Sequence, residues 1–242
     1  MVKVSFIIPL FNGLELTQKC LSSLQASLPG DLSHEIIFVD DGSTDGTRDW
    51  LKTLPTPCRH FINETNLKFA GSNNRGAREA TGEFLGLLNN DLELIPGWIE
   101  PLLAALEEDQ SIALIGNVQR RVDNDQIDHA GIRFRADAKL EHIRNLPSAS
   151  SIRRNPVRYT PAVTAACCLV RRKVFLDTGG GFRQEFENGG EDVDFCLSLA
   201  DRGQRVAIAL NSVVRHHVSA SRGKVRPHDE ANSRRLFGRW RG

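Results

Sequence analysis

The chain has 242 residues, 40% of them hydrophobic and 25% charged, which suits one large domain with a sizeable core. A formal net charge of +1 lacks the basic excess of a dedicated nucleic-acid binder, so no nucleic-acid partner is expected. The longest apolar runs, Val4 to Phe11 and Ala162 to Val170, are too short to span a bilayer. Five cysteines without a CxxC pair give no disulfide framework, and no signal-peptide pattern opens the chain, so a reduced, cytoplasmic setting is expected.

Val2 to Pro9 reads as a buried parallel strand closed by Pro9. Cys20, Leu21, Leu24 and Leu28 recur at helical spacing, and Pro29-Gly30 ends that helix. A second strand, Glu35 to Val39, leads into a turn-rich loop, Asp40 to Gly46, and a short helix from Thr47 to Leu54 with Asp45 as its N-cap. A third strand at Arg59 to Ile62, a helix near Ser72 to Ala80 and a fourth strand at Phe84 to Leu88 follow. Such β-α-β repeats predict an α/β fold: a mainly parallel, Rossmann-like central sheet flanked by helices.

After Pro96 the pattern predicts a helix through Leu106 and a strand at Ile112 to Val118. The charged, aperiodic stretch from Gln119 to Arg158 reads as a surface excursion within one domain covering 1–222. Regular order resumes with Ala162 to Val170, a helix from about Glu191 to Arg202 and a strand at Arg205 to Leu210. Residues 223–242 read as a basic solvated tail, or as the place where a longer protein continues.

Four clusters carry chemistry. Asp40-Asp41-Gly42-Ser43-Thr44-Asp45-Gly46 follows a strand, where open α/β sheets bind ligands, although an Asx-rich turn alone would explain it. A calcium loop is excluded, because its twelfth position is Lys52 instead of glutamate. Asn89-Asn90-Asp91 also ends an apolar strand, and Asp91 offers a hard oxygen suited to Mg²⁺ or Mn²⁺ carrying a diphosphate. Gly189-Gly190-Glu191-Asp192-Val193-Asp194 opens a helix, where acids either satisfy the dipole or serve as a general base. His216-His217 would need a carboxylate partner to hold a metal, and Asp91 is the candidate.

In this order, from Val2 to Ser221, the set resembles family 2 glycosyltransferases of the GT-A fold. The resemblance rests on Val4 to Asn12, Ile37 to Thr47, Asn66 to Gly76, Gly82-Glu83-Phe84, Asn89-Asn90-Asp91 in place of the DxD motif, Gly190 to Asp194 as the ED motif, and His216 with Ser219-Ala220-Ser221. It implies an inverting transfer of sugar from a nucleotide-diphospho-sugar to a glycan or lipid-linked acceptor, in bacterial polysaccharide or glycan synthesis. The expected setting is the cytoplasm, or its inner membrane face if the basic tail near Arg234 and Arg235 touches an anionic surface. Asp41 would accept a hydrogen bond from the nucleotide base and Phe11 would pack against it. Asn89 or Asn90 would lie near the ribose or diphosphate. Asp91 and His216 would hold Mn²⁺ or Mg²⁺, with His217 the competing histidine and His216 preferred for its spacing to Ser221, and Asp192 would be the catalytic base. Asn89 departs from the motif's first acid and leaves less negative charge for the cation.

Other classes fit less well. Pro9 to Gly13 offers no GxGxxG, and no GxxxxGK[ST] occurs, which argues against a dinucleotide oxidoreductase and a P-loop phosphotransferase. A nucleotidyltransferase and a degenerate sugar-nucleotide-binding module stay open as alternatives. Acceptor choice is expected to lie in the Gln119 to Arg158 excursion and near Gly189.

Overall fold

A computed structural model describes residues 2–135, 140–218 and 229–240. The first part is three successive β-α-β units: β1 (Val4–Leu10), α1 (Leu14–Ser27), β2 (His34–Asp40), α2 (Thr47–Leu51), β3 (Cys58–Ile62), α3 (Lys68–Glu79) and β4 (Phe84–Leu88). Then come β5 (Leu92–Glu93), α4 (Glu100–Glu108), β6 (Ile112–Arg121), β7 (Ile127–His129), β8 (Ile132–Phe134), β9 (Leu140–His142), α5 (Ala149–Arg154) and β10 (Val157–Tyr159). The last part holds β11 (Cys167–Arg171), α6 (Arg172–Asp177), α7 (Glu191–Asp201), β12 (Arg205–His216) and α8 (Asp229–Arg239).

The main sheet runs β10-β12-β6-β11-β4-β1-β2-β3. Its β4-β1-β2-β3 part is parallel, as are β6 and β12, while β11 runs antiparallel between β4 and β6. Alternating strand residues feed opposite faces. Phe6, Ile8 and Leu10 share a core with Leu21 and Leu24 of α1 and Leu102 and Leu106 of α4. Ile7, Ile37 and Val39 share the other with Ala70 and Ala77 of α3 and Val193 and Leu199 of α7. The α3 backbone approaches β1 so closely that a Cβ at Gly76 would sit 2.5 Å from Ile7 Cγ2. Among the described residues no helix is long and apolar enough to cross a membrane.

Several boundaries differ from the sequence reading, each for a physical reason. Pro9 lies inside β1, in register with Val39 of β2, but beyond Ile7, where the pairing of β1 with β4 ends, so its missing donor falls where the strand has one paired neighbour, as on a sheet edge. Asp45 is not the N-cap of α2; Gly46 is, in the left-handed region, while Asp45 accepts from Thr47 N and Oγ1 and from Leu14 N at the start of α1. Helix α3 begins four residues before Ser72, and its buried face is polar: Asn74 exchanges two hydrogen bonds with the Phe182 backbone at 2.7 and 2.8 Å. The stretch 119–158 is not purely a surface excursion, since β7 extends the sheet beside β6 and β10 beside β12. Part of the expected solvated tail, 229–240, is helical and buries Leu236 in the core. Helix α6 and the extension of β12 from Leu210 to His216 have no counterpart in the sequence pattern.

One buried carboxylate ties the N-terminal strands together and gives a pH-dependent prediction. Burial raises the Glu35 pKa, but bonds from Ser5, the Thr81 amide and hydroxyl, and Arg59 outweigh it and lower the value to about 2. A depressed folded value means stability that is fully present above the ordinary pKa of 4.5 and lost as pH falls toward 2. Glu35→Gln is therefore expected to destabilise the fold at pH 7 by about 1–3 kcal/mol. The gap from the native protein, measured by urea unfolding, should close between pH 4.5 and 2.

Candidate active site

The ends of β1, β2 and β4 converge on one edge of the sheet, where the loops after them lock into one another. Asn12 N–H donates to Ser43 Oγ at 2.7 Å and Thr44 N–H to Asn12 Oδ1 at 2.8 Å. Fully buried Asp40 takes Arg48 Nε at 2.7 Å and the Ser43 amide, so the first acid of the Asp40-Asp41 pair closes the turn. Asp41 Oδ1 accepts from Asn63 Nδ2 and from Leu67 N, both at 2.7 Å. The same residue lines a cavity of about 160 Å³ with Phe11, Phe69, Asn89, Asn90, Lys68 and Asn188. Phe11, 58% exposed, stands at its mouth as an apolar platform.

Asn90 spends its amide on Thr17 Oγ1 at 2.9 Å, pinning the β4 loop to α1. Asn89 lines both this cavity and a larger neighbour of about 360 Å³, so it stands where the two meet. The larger cavity is also lined by Asp91, His216, His142, Asp192, Gln119 and Thr164.

Asp91, 3% exposed, and His216 are brought together by strand pairing: His216 lies opposite Leu92 where β12 meets β5, and its Nε2 is 3.1 Å from Asp91 Oδ1. His216 Nδ1 is buried and finds no hydrogen-bond partner among the described residues. His217 turns away, with Nε2 3.0 Å from Glu93 Oε1, which separates the two histidines. Ser219 and Ser221 lie outside the described residues. Among the described residues no group of three or more His, Cys, Asp or Glu side chains forms a cation site. A carboxylate and an imidazole converging in an open polar cavity suit a hard divalent cation whose remaining ligands come from phosphate oxygens and water.

The acidic run at the start of α7 separates into three roles. Gly190, at φ +94°, lets the chain turn into the helix, and Glu191, buried, accepts from Gly189 N at 2.6 Å. Asp192 faces the larger cavity, its carboxylate accepting from Val193 N at 2.8 Å and Ala165 N at 3.3 Å. Asp194, two residues on, faces the opposite way into a separate cavity with Arg183, Arg239 and Trp240.

Sequence reasoning missed a histidine pair. Fully buried His129 accepts at Nε2 from Gly131 N at 3.3 Å and Thr164 N at 3.5 Å, which leaves the ring proton on Nδ1, 3.3 Å from His142 Nδ1. Burial, then the nearby His142, His216 and Arg158 charges, push the His129 pKa well below its usual value, so this ring is neutral. His142 lines the cavity and is pushed down as well, first by burial. No periodic or motif signal pairs residues 129 and 142; the pairing of β8 with β9, which sets His142 opposite Ile132, does so.

A family profile described as "Glycosyl transferase family 2" matches residues 5–179. The chain is 28% identical over 235 residues to "O-antigen biosynthesis protein RfbC" of Myxococcus xanthus, covering 91% of this chain and 18% of that protein. It is 35% identical over 113 residues to the "GalNAc(5)-diNAcBac-PP-undecaprenol beta-1,3-glucosyltransferase" of Campylobacter jejuni, covering 45% of this chain and 36% of that one. A crystal structure of GalNAc-T7 with UDP, GalNAc and Mn²⁺ shares the fold, with a TM-score of 0.81 at 17% identity over 99% of this chain and 48% of that one. The chain thus spans less than half the length of each of these proteins.

Proposed function

We propose that this chain, which belongs to glycosyl transferase family 2, moves a sugar from a nucleotide-diphospho-sugar to the hydroxyl of a glycan or lipid-linked acceptor, inverting the anomeric centre. The observation that carries this reading is the pair of adjoining cavities sharing Asn89, one holding Asp41 and Phe11, the other Asp91, His216 and Asp192. A two-part substrate needs such a bipartite site, and strand ends of an open α/β sheet supply it. The names of the relatives, an O-antigen biosynthesis protein and a glucosyltransferase acting on a polyprenol diphosphate, support a glycan-building role.

In this reading Asp41 takes a base N–H while Phe11 covers the ring. Asn89 and Asn90 border the ribose and diphosphate. Asp91 and His216 are the residues that would hold Mn²⁺ or Mg²⁺. A bound cation supplies charge that offsets the negative charge growing on the leaving diphosphate. Asp192 takes the acceptor's hydroxyl proton as the acceptor oxygen bonds to the anomeric carbon and the bond to the diphosphate breaks. The Ala165 and Val193 amides orient that carboxylate. Exposed Arg234 and Arg235 on α8 offer the cationic contact that a site at the inner membrane face would use.

Asp41→Asn tests the donor half. It keeps an oxygen for Asn63 and Leu67 but replaces a carboxylate acceptor with an amide. Affinity for a nucleoside diphosphate, measured by calorimetry, is expected to fall roughly 10- to 100-fold, the worth of a hydrogen bond to a charged group. Unchanged affinity in a variant of native melting temperature would remove Asp41 from the donor site.

A further inference from the structure

The third acid of the run, Asp194, is idle in the chemistry above, yet it is 1% exposed. A carboxylate so buried is costly unless paired and hydrogen-bonded. Its partners are known by position: Trp240 Nε1 at 2.9 Å and Arg239 Nε at 3.1 Å, both from the C-terminal end of α8, and Arg183 Nε at 3.5 Å. At the other end of α8, Asn232 clamps the backbone of Glu187, accepting from its N–H at 3.3 Å and donating to its carbonyl at 3.2 Å. Glu187 lies just before the glycine turn that launches Asp192. Between the two clamps Leu236 is buried in the core, and Asn232, Ser233 and Leu236 line the cavity that holds Asp192.

From this geometry we infer that Asp194 is a positioning residue whose charge anchors α8, and that the anchored helix is the wall of the acceptor cleft facing the Asp192 carboxylate. The inference rests on the transferase reading above. Alternate acids of one short run thus divide the work, because residues two apart on a helix point about 200° apart. Asp192 faces the substrate, and Asp194 holds the element that shapes the substrate's berth. The smaller cavity with Asp41 and Phe11 is lined by no residue of α8, and in the larger one Asp91 and His216 are held together by the β5–β12 pairing, not by α8, so loosening α8 should spare nucleotide binding and act on the acceptor.

Two variants test it. Trp240→Phe keeps the ring and removes the donor to Asp194. Asp194→Asn keeps an oxygen for Trp240 and removes the charge opposite Arg239 and Arg183. Hydrogen exchange of 229–240 should quicken by about tenfold or more in both. The affinity for UDP, GDP or dTDP with Mn²⁺, whichever the native protein binds, should stay within about twofold. KM for the best acceptor from a panel of p-nitrophenyl hexosides should rise about tenfold with kcat little changed, the mark of lost ground-state binding. If Asp194→Asn does not fold, Trp240→Phe decides alone. Native exchange rates in 229–240 would overturn the anchor; faster exchange with an unmoved KM would overturn the acceptor wall. Should the native protein transfer no sugar, the transferase reading and the acceptor wall fall together, and exchange still decides the anchor.

Discussion

Asp192→Asn is expected to lower the rate of sugar transfer by roughly 10²- to 10⁴-fold, the usual worth of a general base. Asparagine is the same size and keeps an oxygen for the Val193 and Ala165 amides, so the helix start and the donor pocket should survive. The parallel variant Glu191→Gln separates basicity from architecture. Glu191 is buried and bound to the Gly189 amide, so its loss should show in melting temperature more than in kcat. Near-native transfer by Asp192→Asn beside a collapse of kcat in a folded Glu191→Gln would reassign the base. Native rates in both would reduce the acids to helix-dipole partners.

Asp91→Ala is expected to cost as much or more. It removes the carboxylate from the Asp91–His216 pair and leaves an imidazole as the one ligand in a polar cavity. Hard cations need oxygen donors, so Mn²⁺-dependent nucleotide binding should fall sharply and transfer should drop below detection. Chelation of the native protein should have the same effect, with activity restored by added Mn²⁺ or Mg²⁺. His216→Ala should be milder, because the carboxylate carries the charge. Full turnover in excess chelator would show that Asn89, standing where the motif has its first acid, marks a site that works without a cation.

Most of the parallel half of the fold was legible because its signals are local. The strand Phe84 to Leu88 has the same bounds in sequence and structure, and the apolar residues of β1 and β2 alternate between two cores as a doubly covered sheet requires. Asp41, Asn89, Asp91, Asp192 and His216 could be singled out since each follows a strand or opens a helix. Their convergence could not, since it depends on β5 and β12 pairing across more than a hundred residues. The choice of His216 over His217 rested on spacing alone, and the structure separates them by which carboxylate each faces. The first turn of α3 was hidden because Lys68, at φ +62°, and Gly71 interrupt the hydrophobic period there. Helix α8 was unreadable for a related reason: its single deeply buried apolar side chain, Leu236, gives no stripe, and its clamps lie on α7 and the loop before it. The His129–His142 pair is a tertiary product of the same kind.

The central claim, sugar transfer from a nucleotide-diphospho-sugar, is tested most directly by product analysis. The native protein would be incubated with Mn²⁺, UDP-, GDP- and dTDP-linked hexoses and a panel of p-nitrophenyl hexosides. Nucleoside diphosphate and glycosylated acceptor should appear in equal amounts, with the new linkage inverted relative to the donor. Release of pyrophosphate would identify a nucleotidyltransferase, and tight nucleotide-sugar binding without any product would identify a binding module; either result contradicts the account.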